Sequence, residues 1–489
     1  MTIDFFSLHS NLSWLDAIAG KIKSVYLDKL YHDGVYNEIH CDYKKSFLGK
    51  RKLISSAFVG IWGWNSWCGI HTFPVITGGE LASIYKRTVD AGFARTEPSI
   101  GLLPHAVVHE NGVFGSRTEF KCSGGAHGEG YNLDNMLCWA KMAMEYFLTT
   151  NDPWFTVEKF TIITHTVDYM LDYFRGKYDP VLVEAGIEGD WTECTDWELD
   201  NADVNANMIE TLRLAIECQA LLGKPGTGKD YKAVRDQMIA AFNKPVQQGG
   251  FWDPAARHYI HGNDGRGDIV HGDKYFEATA NYFALLWHIA PIENRKQLWK
   301  YINEHRKPIE MPYPVLTNYL PRTGARRKNY GSTVTNGDVW MVLGAHAAAA
   351  RLQDGFIPEG TAMYKAIVDY EASEGVLHNC IYPKRNTVND SWDPEIANYG
   401  ALWAPLVLGV LGIVPRAAGL EFNITGLEGL ASLGMTFFFD GYLHRLLASW
   451  TNGKFTSSEI SREGVLVGKT SAGRFLLARG DPSCIKDVP

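Results

Sequence analysis

Residues 131–174 read YNLDNMLCWAKMAMEYFLTTNDPWFTVEKFTIITHTVDYMLDYF. Apolar side chains recur every three or four positions through 131–150 and again through 153–174, the spacing of amphipathic helices. Asn151-Asp152-Pro153 separates the two runs and puts a proline where a first helical turn accepts one. The unit is therefore a helical hairpin. The same periodicity returns at 11–32, 79–92, 203–223, 229–244, 275–290, 291–306, 334–353, 357–373 and 396–412, with Leu222-Gly223 closing one run by a glycine C-cap. Short turns alternate with long loops rich in Gly, Trp and His, which predicts hairpins set in a ring with the long loops gathered at one end to build a site.

Two stretches depart from that texture. Residues 33–78 are turn-rich and aromatic and end in GIWGWNSWCGIHTFPVITGG, with too much Gly and Trp for a helix interior. After Pro415, segments such as LEFNITGL and SSEISREGVLVGKTSAGRFLLARG alternate apolar and polar residues between Gly and Asn turns, which predicts a small β module. The expected division is a helical barrel over 1–414, carrying the aromatic-rich N-terminal segment, and a β module over 415–489.

Composition removes several classes of function. The 55 acidic residues outnumber the 47 basic ones for a net charge of −8, and no dense Lys/Arg run could track a phosphate backbone, so nucleic acid is not an expected partner. The 8 cysteines are scattered without a C-x-x-C pair, which suits buried thiols better than a zinc site or a disulfide framework. No window is apolar enough for a membrane span and the N-terminus lacks a signal-peptide pattern, so no membrane partner and a cytoplasmic location are expected. The 15 Trp, 23 Tyr and 23 Phe are a large aromatic share; most fill the core, and rings of this kind also stack on the C–H faces of sugars.

Two acidic clusters carry the chemistry. VEAGIEGDWTECTDWELDN, residues 183–201, sets Glu188, Asp190 and Glu193 among Trp191 and Trp197 in a loop between two helices. An apolar wall beside a carboxyl raises its pKa, as a general acid requires. NDSWDPEIANYGALWAPL, residues 389–406, repeats the pattern with Trp392, Asp393 and Glu395 ahead of an apolar helix. Either cluster could instead serve as helix caps or solvated surface. Paired carboxylates on two loops point to glycosidic cleavage in which one acid protonates the leaving oxygen while the other activates water from a carboxyl roughly 6.5–9.5 Å away.

The segment Gly189-Asp190-Trp191-Thr192-Glu193 resembles the Gly-Asp-Trp-Asn-Asp motif of cellobiose-phosphorylase-like glycosidases, whose last acidic residue is the general acid. Residues 334–352 resemble the Asn-Gly-led helix of the same group, with Asn336 at its polar start, and residues 411–422 resemble its passage into a C-terminal β module. Glu184-Ala185-Gly186-Ile187-Glu188 is similar to the acid motif of trehalases and processing glucosidases, with Glu188 at the acidic position. Together these motifs imply the six-hairpin glycosidase superfamily, a mainly α fold, an (α/α)6 toroid of helical hairpins with a small C-terminal β module. They imply an inverting glycoside hydrolase with Glu193 as general acid, Glu188 and then Asp190 behind it, and Glu395 as general base with Asp393 in reserve. The stretch Gly63-Trp64-Asn65-Ser66-Trp67 resembles the Trp-rich loop of that superfamily's sugar pocket. Trp64, Asn65, Trp67, His127, Asp134, Trp191, Asn336 and Trp392 are the expected substrate contacts.

No cofactor and no metal are expected, because proton transfer needs only carboxylates. Three other patterns are set aside. The run Gly223–Asp230 matches most of a phosphate-binding loop, but Asp230 stands where Ser or Thr should bind magnesium. Arg266-Gly267-Asp268 reads as chance, and His258, His261 and His271 with Asp264, Asp268 and Asp273 lack a calcium-loop spacing and suit sugar hydroxyls or one another better than a metal. The rival functions are an inverting phosphorylase, with Arg326-Arg327-Lys328 as its phosphate pocket, and a non-catalytic sugar-binding barrel.

Overall fold

The computed structural model describes residues 6–21, 31–32, 35–36, 38–45, 51–76, 79–97, 100–110, 113–119, 131–176, 179–185, 199–223, 228–263, 276, 278–305, 340–374, 377, 381–382, 387–388, 400–480 and 485–488. Its helices in chain order are α1 (Ser13–Asp16), α2 (Gly63–Ile70), α3 (Phe73–Ile76), α4 (Gly79–Phe93), α5 (Leu133–Thr150) and α6 (Val157–Tyr173). They continue with α7 (Ala202–Leu222), α8 (Tyr231–Phe242), α9 (Ala278–Leu286), α10 (Ile292–His305), α11 (Met341–Gln353) and α12 (Ile357–Glu374). A 3-10 turn at Gly400–Leu402 and a π-helical turn at Pro405–Val410 end the helical part.

Local chemistry sets the helix ends. Asn132 caps α5 by accepting the Asn135 N–H at 3.2 Å, and the chain leaves that helix through Asn151 at φ 54°. Thr156 then caps α6 by accepting the Lys159 N–H, which places Pro153 in the connection and not in a first helical turn. Asn201 caps α7, and Gly223 ends it at φ 59°. Asp230 caps α8 through the Ala233 N–H, so the aspartate that breaks the phosphate-loop pattern has a structural task.

Burial sorts the helices into two layers. Helices α5, α9 and α11 are covered on nearly every side, as is α7 through its first turns, whereas α6 and α8 each keep a solvent face. The covered helices touch in sequence: α2 packs on α5, α5 on α7, α7 on α9, α9 on α11, and α11 on the 400–410 segment, which returns to α2. Glycines allow the tightest closures. A Cβ on Gly409 would lie 2.9 Å from the Ala349 Cα, and one on Gly400 would run into the Cys68 carbonyl oxygen. Among the described residues the result is a toroid of helices around a buried interior.

The strands after Val414 form two antiparallel sheets. One orders Leu8–Ser10, Ser432–Phe439, Tyr442–Thr451, Lys454–Arg462 and Val465–Thr470, so the start of the chain supplies an edge strand to the module. The other orders Val414–Arg416, Gly419–Asn423, Arg474–Ala478 and Ile485–Asp487. Asp440-Gly441, Asn452-Gly453 and Glu463-Gly464 all have positive φ, the geometry of two-residue hairpins. Phe422 stacks on its cross-strand partner Phe475 at 4.8 Å and meets Phe437 of the other sheet at 5.7 Å.

The N-terminal region departs from the sequence reading. Within the stretch expected as turns, the described residues at 35–36, 38–45 and 51–62 are strands, and Glu38–Lys45, Arg51–Trp62, Ala106–Glu110 and Val113–Glu119 pair in one antiparallel sheet. Of the helix expected over 11–32, Ser13–Asp16 is α-helical and Ala17–Gly20 is a 3-10 turn, residues 22–30 lie outside the described residues, and Tyr31–His32 is a strand. Gly63–Ile70, judged too rich in Gly and Trp for a helix, is α2, because its place in the ring outweighs its propensity. No described helix is long and apolar enough to cross a membrane.

Candidate active site

The first cluster is approached through a short sheet. Strand Glu184–Ala185 pairs antiparallel with Leu199–Asn201, matching Glu184 to Asp200 and Ala185 to Leu199, so the two ends of the acidic loop are stapled together. On its other edge Leu199–Asn201 pairs with Gly262–Asn263, which brings His261 alongside, while residues 264–273 lie outside the described residues. Glu188, Asp190, Trp191 and Glu193 themselves lie outside the described residues, as do Trp392, Asp393, Glu395, His127 and Asn336. For Trp64 and Asn65 the backbone is in α2 and the side chains lie outside the description.

What the structure does show is how firmly the stem is held. Asn205, one turn into α7 and fully buried, accepts the Val183 N–H at 2.8 Å and donates through Nδ2 to the carbonyls of Val183 (2.8 Å) and Asn201 (2.7 Å). Asp200 accepts the Asp179 N–H at 3.1 Å, the Ala202 N–H donates to the His261 carbonyl at 2.8 Å, and the Asn201 amide lies 3.3 Å from His261 Nε2. Such buried polar groups are costly unless bonded, and bonded they fix one geometry. The loop therefore stands on a rigid base at the N-terminus of α7.

The same end of the toroid collects buried polar side chains from neighbouring helices. Asn132, Asp134 and Asn135 belong to the start of α5, Asn201, Asp203, Asn205 and Asn207 to that of α7, and Thr279 and Asn281 to α9. Helix N-termini turn backbone N–H groups and the positive dipole end toward this mouth. In the sequence, 186–198 precedes the strand Leu199–Asn201 that leads into α7, and 389–399 precedes the 3-10 turn at Gly400.

Of the expected contacts, Asp134 and Trp67 are fully placed, and a polar column links them. Asp134 accepts from Asn207 Nδ2 at 2.8 Å, and Asn207 Oδ1 accepts from Lys141 Nζ at 2.5 Å. That buried ammonium sits 3.4 Å above the Trp67 ring, whose Nε1 donates to Glu145 Oε2 at 3.1 Å. Trp67 also stacks on His71 at 4.5 Å, so it belongs to the ring interior below the mouth. Residues 134, 138, 141 and 145 lie on one face of α5, which is why the column runs along it. Burial, reinforced by Glu210 and opposed by Lys141, pushes the Glu145 carboxyl up to about 8, and burial pushes the Cys138 thiol to about 12.

Asn205, Asn207, Lys141 and Glu145 escaped the sequence reading. The run Asn201-Ala-Asp-Val-Asn-Ala-Asn207 was the available signal: a polar start to a helix that periodicity alone treats as solvated. His258 is buried with Nδ1 3.0 Å from the Tyr259 carbonyl, and His261 lies beside Asn201. Among the described residues no group of three or more His, Cys, Asp or Glu is placed to hold a metal ion.

No protein-family model and no curated protein matches the sequence. Among solved structures the chain resembles a sialidase at a TM-score of 0.61 and 12% identity, over 96% of this chain and 41% of the other. It resembles the α-L-rhamnosidase of Dictyoglumus thermophilum at 0.58 and 13%, over 94% of this chain and 44% of the other. It also resembles a GH63 mannosylglycerate hydrolase of Thermus thermophilus, in complex with glucose, at 0.53 and 12%, over 78% of this chain and 98% of the other. The chain thus spans about two fifths of the first two structures (41% and 44%). Its structural neighbours are glycoside hydrolases, and what it shares with them is the fold, a helical toroid with an antiparallel sheet region.

Proposed function

We propose that the chain is a glycoside hydrolase on a six-hairpin (α/α)6 toroid, with residues 1–414 as the catalytic unit and 415–489 as its β module. The supporting observation is the stapled stem at the N-terminus of α7, which fixes the ends of the loop carrying Glu188, Asp190, Trp191 and Glu193 over a mouth of buried polar groups. The toroid of glycosidase structures that resembles this chain adds support at the level of fold.

In this reading Glu193 protonates the departing oxygen and Glu395 takes a proton from water on the opposite face, giving inversion. Glu188 and Asp190 stand behind the acid and Asp393 behind the base. Trp191 and Trp392 provide the apolar walls. Trp64, Asn65, Trp67, His127, Asp134 and Asn336 line or support the saccharide site, with Asp134 anchored by Asn207. No metal or organic cofactor takes part in this chemistry.

The test is a leaving-group comparison in phosphate-free buffer. The panel includes α-L-rhamnosides and mannosylglycerate, the substrates named by the resembling structures. Glu193→Gln should lower turnover of substrates with poor leaving groups by ~10²–10⁴ while sparing activated aryl glycosides. Equal losses on both would remove Glu193 from the acid role and pass it to Glu188 or Asp190.

A further inference from the structure

At the opposite end of the inner helices, the toroid and the β module enclose a cavity of about 640 Å³. Its floor is the base of the polar column: Trp67, His71 and Glu145, beside Trp287 from the end of α9. Glu210 and Arg213 of α7 and Arg235 of α8 form one wall, and the roof comes from the β module through Arg416, Glu421 and Arg474. From Ala202 at the acidic-loop end to Arg213 the helix runs roughly 16 Å. A space of this size is that of a small-ligand pocket.

The hydrogen-bonding inventory of this space is incomplete in a specific way. His71 is 7% exposed, and its Nδ1 lies 2.8 Å from the Trp67 carbonyl, a contact that requires a proton on Nδ1. Burial holds the imidazole neutral, with its pKa down to about 4, so Nε2 is a bare acceptor, and it has no partner among the described residues. Arg235 makes no hydrogen bond and no ion pair among the described residues, and its Nε is enclosed without a partner. The other guanidiniums are committed. Arg213 is bonded to Glu210 at 2.7 and 2.9 Å, Arg416 to Glu421 and Glu217, and Arg474 to Glu421.

The charge count gives the ligand's sign. Four guanidiniums, Arg213, Arg235, Arg416 and Arg474, stand against three carboxyl side chains, Glu210, Glu217 and Glu421, and Lys141 lies behind Trp67. Glu145 does not redress the excess at neutral pH, because burial keeps it protonated, and as an acid it can donate to an oxygen in the cavity. Trp287 is backed by Phe283 at 4.1 Å and presents an apolar wall.

We propose that this cavity is a second binding site for a small hydroxylated anion of sugar size, with its oxyanion on Arg235, a hydroxyl donated to His71 Nε2 and its apolar face against Trp287. The recognised chemistry is an oxyanion on a polyol ring, which a sugar carboxylate or a sugar phosphate supplies. Because the β module forms the roof, occupancy ties that module to the toroid and stabilises both against unfolding.

Isothermal titration of the full chain at pH 7 tests this with glucuronate and glucose 6-phosphate, against glucose and inorganic phosphate. At least one of the two anionic sugars should bind. Glucuronate alone would assign a carboxylate and glucose 6-phosphate alone a phosphate. Arg235→Gln should weaken that binding by about tenfold or more, the loss expected for a charged hydrogen bond, and Arg235→Lys should restore part of it. Thermal melting of each unliganded variant verifies that it is folded. The proposal is overturned if neither anionic sugar binds, if glucose or inorganic phosphate binds as tightly, or if a folded Arg235→Gln variant binds unchanged.

Discussion

Glu145→Gln isolates a carboxyl that burial holds protonated. The carboxyl rises from an ordinary 4.5 to about 8, so between those values the folded chain holds a proton that the unfolded chain has released. Stability contributed at this site therefore falls as pH climbs from 4.5 to 8. At ~1.4 kcal/mol for each pH step between the two values, the carboxylate costs at most about 4–5 kcal/mol above pH 8, and cavity water will reduce that figure. Glutamine keeps an oxygen for the Trp67 Nε1, which lies 3.1 Å from Glu145 Oε2, and has no proton to lose. For a chain of this length about 1 kcal/mol corresponds to about 1 °C. Melting curves from pH 4.5 to 8.5 should show the variant close to wild type at the acid end and gaining steadily toward the alkaline end, by about 3–5 °C. Parallel profiles for the two proteins would refute a buried, protonated Glu145.

Other perturbations reach other parts of the account. Asn205→Leu removes three hydrogen bonds from the loop stem and should cost about 2–5 kcal/mol in urea unfolding, with a larger fall in kcat than rise in KM; unchanged kinetics would mean the stem does not position the loop. Gly400→Ala places a methyl group against the Cys68 carbonyl and should destabilise the toroid by roughly 3 kcal/mol or more, while an unaltered melting temperature would deny that closure. Burial holds His71 and His444 down to about 4 and His346 well below its ordinary value, so the unfolded chain takes up protons below pH 6.5 that the folded one refuses. Stability should fall as pH drops from 6.5 toward 4, and His346→Leu should make that decline shallower; an equally steep decline would place the acid sensitivity elsewhere.

The helical hairpins were legible because their signals are local. Apolar spacing over 131–174 and the polar caps Asn132, Thr156, Asn201 and Asp230 act within a few residues of the chain. The N-terminal sheet was not legible, since Arg51–Trp62 finds its partner Ala106–Glu110 only after three intervening helices. Helix α2 was missed for a related reason, its surroundings in the ring being absent from its own residues. Leu8–Ser10 shows the extreme case, pairing with Ser432–Phe439 at the far end of the chain.

For the site, composition exposed the acidic clusters, because carboxylates among tryptophans stand out in any window. It could not expose what holds them. Asn205 matters through Val183, and Lys141 through Asn207, partners that only the fold brings together. A buried lysine in MLCWAKMAMEYF reads from sequence as one solvated position on a helix.

The central claim is settled most directly by proton NMR of the first sugar released from a cleaved glycoside in phosphate-free buffer. Wild-type protein should liberate the anomer opposite in configuration to the substrate, because a base that leaves room for water sits too far from the anomeric carbon to attack it. First-formed sugar of retained configuration would contradict inversion by Glu193 and Glu395, and a sugar 1-phosphate that forms only when phosphate is added would contradict hydrolysis itself.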